Sequence, residues 1–379
     1  MKTDRTSRRS FLTGSMLLSA SAFATFCFGQ RGGGHAQAAA PDANWKAQID
    51  QIIADMMQQD GVPGVMLAVV KQGEAAYRKG YGVKRSPGGA VPDENTVFYI
   101  GSLSKAITAV GAMLLVQEGK LDLNAVASRY ISELPRAWHG ITVKQFMSHT
   151  SGIPELSSRK KNSEADISAV YALMADLPMQ SEPGTKQRYN NFNYAVTGNV
   201  IERISNLSYI DYMTRRVFTP LGMDHSGVGI ISPENHATGY LQGENGQMTE
   251  TEPKIASFGV PSGGLETNLA DLLKFEASLR SHTLLKPQFF QQMITPVQGF
   301  GATPGWFTRK AGGVTVVSKN GAAGGFSSFF SFVPDSGHAV IMLRNVQGKG
   351  IGIQAPSNAI LNACCGIPKN GGAAAGEEK

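Results

Sequence analysis

Phe98-Tyr99-Ile100-Gly101-Ser102-Leu103-Ser104-Lys105 is the stretch on which both the fold and the chemistry of this chain turn. Residues 106–117 follow it without a proline and with few polar side chains, which predicts a buried helix. Positions three apart share a helix face, so Ser102 and Lys105 stand side by side at its N-terminus. A serine hydroxyl is a weak nucleophile until a neighbour takes its proton. A lysine does so when burial or a nearby cation lowers its pKa. Helix N-terminal N–H groups and the positive dipole end suit a developing oxyanion. Taken alone, the serine reads first as a helix cap. Two further Ser-x-x-Lys copies, Ser157 to Lys160 and Ser158 to Lys161, lie in a charged run with no apolar helix behind it and read as solvated loop.

Working outward, 379 residues with 42% apolar content describe a globular chain of one or two domains. The formal charge of +6 is concentrated at the N-terminus, where Lys2, Arg5, Arg8, Arg9 and Arg31 stand against Asp4 alone. The remainder is close to neutral, which excludes a basic surface for nucleic acid. Ser7-Arg8-Arg9-Ser10-Phe11-Leu12 before the apolar run 11–28 is the twin-arginine export pattern. Ala36-Gln37-Ala38 suits cleavage, giving a signal peptide over 1–38 and a periplasmic mature chain without a membrane span. Cys27 leaves with the signal, and the adjacent Cys364 and Cys365 suggest packing rather than a disulfide framework.

Trp45, Ile49, Ile52, Ile53, Met56 and Met57 make one helical face that ends before Gly61 and Pro63. Residues 65–70 and 75–81 read as a hairpin. Prolines break residues 120–239 into short helices. Asn268 can cap a helix through Leu279, and three late strands follow at 314–318, 325–333 and 339–343. A helix over 357–365 closes the fold. The expected class is mixed α/β (α+β), an antiparallel sheet of about five strands flanked by helices with an inserted all-helical domain. The sheet domain takes 39–119 and 255–368, the helical domain 120–254, and a flexible tail 369–379.

A hydrolase built on Ser102 needs a base for its second half-reaction, a cation for a substrate carboxylate and a second oxyanion donor. Tyr189 and Asn191 form a Tyr-x-Asn just before a helix. The phenol near lysines can act as a base, and the amide can bridge Lys105 and substrate. A turn tyrosine with a capping asparagine is the plainer alternative. Lys319-Asn320-Gly321 ends a β-like run that continues into Ala322-Ala323-Gly324-Gly325. Small residues there let a substrate backbone pair with the strand. Lys319 would hold a carboxylate or tune Tyr189, and the Ala322 N–H would join that of Ser102. His149 reads as a structural hydrogen-bonder. The remaining histidines show no metal-ligand spacing, so neither metal nor cofactor is expected.

Ser102-x-x-Lys105, Tyr189-x-Asn191 and Lys319-x-Gly321 occur in the order seen in the serine β-lactamase and penicillin-binding-protein superfamily, which the chain resembles over roughly residues 43–366. Among its branches it is most similar to class C β-lactamases and their esterase and peptidase relatives. His149-Thr150-Ser151-Gly152, 212–218, Pro261-Ser262-Gly263-Gly264-Leu265 and the stretch from Gly324-Gly325-Phe326 to Phe332-Val333-Pro334 agree with it. The resemblance implies a Ser102 acyl-enzyme, with Lys105 and Tyr189 catalytic and with Asn191, Lys319, Asn320, Gly321 and Ala322 binding substrate. Asn320 replaces the usual threonine, and Leu156 stands where class C enzymes tend to place an amide. Arg344 enters as a second carboxylate contact. The implied activity is β-lactam hydrolysis by a monomer. A D-amino-acid peptidase or esterase, or a penicillin-sensing protein with little turnover, are the alternatives.

Overall fold

Residues 65–70 are apolar without a break because both faces of their strand are covered. In the computed structural model, which describes residues 44–156, 166–229, 232–297, 299–348 and 352–368, Val65, Leu67 and Val69 join one buried cluster. Met66, Ala68 and Val70 join another. Side chains alternate across a strand, so this parity sorts residues to opposite sides of the sheet.

Along the chain, α1 (Trp45–Asp60) ends at Gly61, whose left-handed backbone (φ 64°) lets its N–H reach the Met57 carbonyl. The hairpin β1 (Gly64–Lys71) and β2 (Glu74–Gly82) follows, then the short β3 (Phe98–Tyr99) and α2 (Ser104–Gln117). Short helices α3 (Val143–Met147), α4 (Ile167–Met174), α5 (Phe192–Ser205) and α6 (Tyr209–Met213) come next. The strands β4 (Gly239–Gln242), β5 (Met248–Thr251) and β6 (Glu266–Thr267) enclose the one-turn α7 (Val260–Gly263). After α8 (Leu269–Ser281) and α9 (Pro287–Ile294), β7 (Phe307–Ala311), β8 (Val314–Ala323), β9 (Phe326–Val333), β10 (His338–Arg344) and β11 (Val346–Gln347) lead to α10 (Gln354–Cys365).

The main sheet has six antiparallel strands in the order β2-β1-β10-β9-β8-β7. β4 and β5 place a small sheet inside the segment 120–254 that the sequence reading takes as all-helical, and in the main sheet the sixth strand, β7, is the one the sequence did not predict. Its run Thr308-Arg309-Lys310 looks like loop, yet Arg309 is buried because Pro368 O and Asn358 Oδ1 accept from its guanidinium. The strand at 314–318 also extends to Ala323, so Lys319 and Ala322 lie within β8. α1 and α10 cover one face, with Ile49, Ile53, Ile360 and Leu361 in the core. α2 and α8 lie over the other, with Val110, Met113 and Phe275 in its core, and α5 packs against α2. Each such fully buried aliphatic or aromatic side chain contributes about 1.5–3 kcal/mol. Residues 104–115 of α2 are all buried, as their apolar run predicts.

The solvated-loop copies of Ser-x-x-Lys at 157–161, the signal peptide and the tail from 369 lie outside the described residues. Among the described residues no helix is long and apolar enough to cross a membrane.

Candidate active site

Ser102 sits in a single 3₁₀ turn, Gly101–Leu103, that leads into α2. The turn is wedged against β8. Gly101 has φ 50°, and a Cβ on it would stand 2.7 Å from the Ala322 nitrogen. A Cβ on Gly321 would stand 2.1 Å from the Ile100 carbonyl oxygen. Only glycine allows backbones to approach so closely, which brings the N–H of Ala322 beside the turn that carries Ser102. Ser104 Oγ donates to Gly101 O at 2.8 Å and accepts the Leu265 N–H at 3.1 Å, so the turn is held from both sides.

Lys105 is fully buried one turn further along. Its Nζ lies 3.0 Å from Ser102 Oγ, 2.8 Å from Asn191 Oδ1 and 2.5 Å from the Ser262 carbonyl oxygen. Two of these partners are pure acceptors and the third is a hydroxyl. An ammonium can donate to all three. A neutral amine can donate to the two carbonyl oxygens and accept from the hydroxyl. Both protonation states therefore fit the same heavy-atom positions, as a proton shuttle requires.

Tyr189 is half-buried, and its hydroxyl donates to Ser102 Oγ at 2.7 Å. The residues around it are locked by Asn190, whose side-chain amide donates to Ile153 O and Pro154 O while its oxygen accepts the Phe192 N–H. Asn191 occupies the cap position of α5 but makes no side-chain cap, and its oxygen faces Lys105 instead. Lys319 also approaches the phenol. Its Nζ and that of Lys105 each lie 4.8 Å from the Tyr189 ring centroid. A fourth group, His149, stacks on the same ring with centroids 4.4 Å apart. Burial first, then the charges of Lys105 and Lys319, hold the imidazole well below its usual pKa, so it is neutral at physiological pH.

Strand parity places the third motif. Gly324 and Gly325 both have positive φ (53° and 83°), the mark of a two-residue hairpin turn between β8 and β9. Ala323 and Phe326 flank that turn as a hydrogen-bonded pair, so Ala322 opposite Ser327 and Asn320 opposite Phe329 are non-hydrogen-bonded pairs. Their N–H groups aim away from β9, past the end of β7, whose pairing with β8 stops at Ser318. Lys319 and Gly321 share the face that looks on α2, and the Asn320 side chain alternates to the other face.

Arg344 is not part of this site. It follows Leu343 by one residue, and Leu343 packs on the α2 side, so Arg344 turns to the α1 side. There it is buried, donating from Nε to Ser327 Oγ at 2.8 Å and pairing with Asp60 Oδ2 at 3.2 Å. The expected carboxylate contact by Arg344 is corrected to an internal ion pair. Two groups went unpredicted as parts of the site, the Ser262 carbonyl and the stacked ring of His149. A backbone carbonyl leaves no mark in side-chain sequence, whereas the turn motif around His149 was visible without its partner.

A cavity of 310 Å³ opens on Ser102. Leu156, Phe192, Ala195, Ile255 and Phe258 give it apolar walls, Ala322 and Asn191 border it, and the exposed Glu155 and Lys254 stand at its rim. Among the described residues no three His, Cys, Asp or Glu side chains gather as a metal site.

Comparison with known proteins gives three kinds of match. A family model described as Beta-lactamase matches residues 49–360. Among characterised sequences, Protein flp of Staphylococcus aureus strain MW2 is 29% identical over 322 residues, 80% of this chain. The match spans only 63% of that relative's length. A Beta-lactamase of Providencia stuartii is 26% identical, covering 79% of this chain and 86% of that protein. Among solved structures, the octameric penicillin-binding protein homologue from Pyrococcus abyssi aligns with a TM-score of 0.72 at 24% identity, over 84% of this chain and 76% of the other. The D-alanine carboxypeptidase AmpC from Burkholderia cenocepacia aligns with a TM-score of 0.72 at 22% identity, over 84% and 99%. These two likenesses establish the fold.

Proposed function

The chain belongs to the Beta-lactamase family, and from that premise we propose that it is a serine hydrolase that opens β-lactam rings through a Ser102 acyl-enzyme. The observation that carries this reading is the double contact on one oxygen, Lys105 Nζ at 3.0 Å and Tyr189 OH at 2.7 Å from Ser102 Oγ. Lys105 as the neutral amine, or Tyr189 as the phenolate, can receive the hydroxyl proton as Oγ attacks the carbonyl carbon. The N–H groups of Ser102 and Ala322 then stabilise the tetrahedral oxyanion. When the C–N bond of the lactam breaks, the proton returns to the departing nitrogen by way of Tyr189. In the second half-reaction Tyr189 takes a proton from water, which attacks the acyl carbon and frees Ser102. Asn191 holds Lys105 and the substrate amide. Lys319 binds the substrate carboxylate, with β8 pairing beside it through the backbone of Asn320 and Ala322, while Gly321 lets the Ser102 turn approach the strand.

A second reading keeps the same steps but takes a D-amino-acid peptide. It is favoured by the outward aim of the Asn320 and Ala322 N–H groups, which offers an edge to an extended backbone. The mature protein acts in the periplasm as a monomer after twin-arginine export; N-terminal sequencing of the exported chain would test the cleavage, and its mass in solution the monomer. The activity is tested on purified residues 39–379 with nitrocefin, a short-chain nitrophenyl ester and a D-Ala-D-Ala peptide. Turnover of nitrocefin that is abolished by Ser102→Ala is expected, with a transient acyl adduct in the intact mass. Full activity in Ser102→Ala would sink the scheme, and a stable adduct without turnover would point to a penicillin-sensing role.

A further inference from the structure

His149 performs no step in the chemistry above, yet it is bound to Tyr189 more closely than packing requires. It is buried, and its backbone is left-handed with φ 58°, a conformation that costs a residue with a Cβ. Three backbone hydrogen bonds lay the segment 180–188 along 149–152. Gln180 N–H donates to Gly152 O, Gly184 N–H to Thr150 O, and Arg188 N–H to His149 O at 2.8 Å. The chain then turns, and the Asn190 N–H donates to His149 Nδ1 at 3.3 Å. Asn193 Nδ2 lies 3.1 Å from the same nitrogen, while Asn193 Oδ1 accepts from Ser151 Oγ. One residue thus holds the main chain on both sides of Tyr189, at 188 and at 190. Its ring also lies against the phenol, tilted by 31°.

We propose that His149 is the positioning residue for Tyr189, fixing the phenol hydroxyl over Ser102 through the Nδ1 acceptor and the stacked ring together. Two donors converge on Nδ1, so the ring proton sits on Nε2 and the imidazole is neutral. Burial first, and then the neighbouring lysines, favour that state. A protonated ring would present a donor to the Asn190 N–H and release its grip on the turn. The left-handed backbone narrows the residues that can substitute. Asparagine tolerates it and can place Oδ1 near the position of Nδ1, whereas phenylalanine keeps the ring and loses the acceptor.

Those two replacements separate the contacts. His149→Asn is expected to fold, to keep kcat within about tenfold of the parent protein and to leave KM unchanged. His149→Phe is expected to lower kcat by about 100-fold at unchanged KM, because misplacing a reacting group by about 1 Å costs that much. A purely structural residue would lower the melting temperature and leave kcat per folded molecule untouched. A second readout needs no turnover. With ¹³Cζ-labelled tyrosine, the Tyr189 resonance, assigned by Tyr189→Phe, should move in both variants.

The kinetic arm rests on the hydrolase reading, and the resonance does not. A parent protein that turns over none of the substrates would refute the hydrolase reading while the resonance still decides the role of His149. An unmoved Tyr189 resonance in His149→Asn would overturn the proposal. So would parental kcat in folded His149→Phe, or a His149→Asn chain that fails to fold. If His149→Phe alone does not fold, the resonance and the kcat-against-KM split of His149→Asn decide between positioning and packing.

Discussion

Replacing Arg344 by methionine separates an internal ion pair from a substrate contact. The guanidinium and the Asp60 carboxylate are 7% and 5% exposed at the side chain and 3.2 Å apart. Removing one partner strands the other charge in the interior, which costs about 3–5 kcal/mol. Methionine restores much of the volume, so the loss comes mainly from the buried carboxylate deprived of its guanidinium and from Ser327 Oγ, which loses its donor. With a urea m-value of about 3 kcal/mol/M, the midpoint of unfolding should fall by about 1–1.7 M. Adding Asp60→Asn to Arg344→Met should recover part of that loss, because the stranded charge disappears. KM for a carboxylate-bearing substrate should stay within about twofold, since the pair lies across the sheet from Ser102. The measurements are urea denaturation followed by tryptophan fluorescence, and steady-state kinetics on nitrocefin. A tenfold rise in KM with an unchanged midpoint would refute the placement and restore Arg344 to the cleft.

Ala322→Pro removes the N–H that parity aims into the cleft and should lower kcat by about 10²–10³ while the chain still folds, as read by circular dichroism and nitrocefin turnover. The cavity walls of Leu156, Ile255 and Phe258 predict that kcat/KM for nitrophenyl esters rises about fourfold per added methylene until the 310 Å³ is filled. Leu156→Gln should flatten that series, and a flat series in the parent protein would deny the cavity its acyl group. His149 is held neutral in the folded state but titrates at about 6.5 when unfolded. Its contribution to stability is therefore complete above that pH and is lost as pH falls below it. Denaturation at pH 5 and pH 7 should show a drop for the parent protein that is smaller in His149→Asn.

How far the sequence could be read depended on whether a residue's environment was local. The Ser102-to-Lys105 spacing could be read because the turn that carries Ser102 runs directly into α2, and the apolar run behind Lys105 forces that junction inside. Tyr189 and Lys319 were recognisable only as motifs. What joins Lys319 to Ser102 is the approach of β8, which depends on Gly101 and Gly321 lacking side chains, and what joins Tyr189 is the turn before α5, where Asn191 meets Lys105. β7 escaped notice because the partners that let Arg309 be buried come from residues 358 and 368, about fifty positions away. Arg344 failed for a sharper reason. Residues 339–343 are apolar at every position because both faces of β10 are covered, Leu343 by the α2 side and Met342 by the α1 side. A strand solvated on one face reveals its parity through alternating polarity. A strand buried on both faces does not, so nothing local says which way the first charged residue after the run will point. The distant Asp60 at the end of α1 supplies the missing information, because a buried guanidinium needs acceptors to replace water, and here that carboxylate is one of them. The same test applies to Lys319, which is also buried in the sheet, but parity sends it to the opposite face, where its Nζ meets the ring of Tyr189.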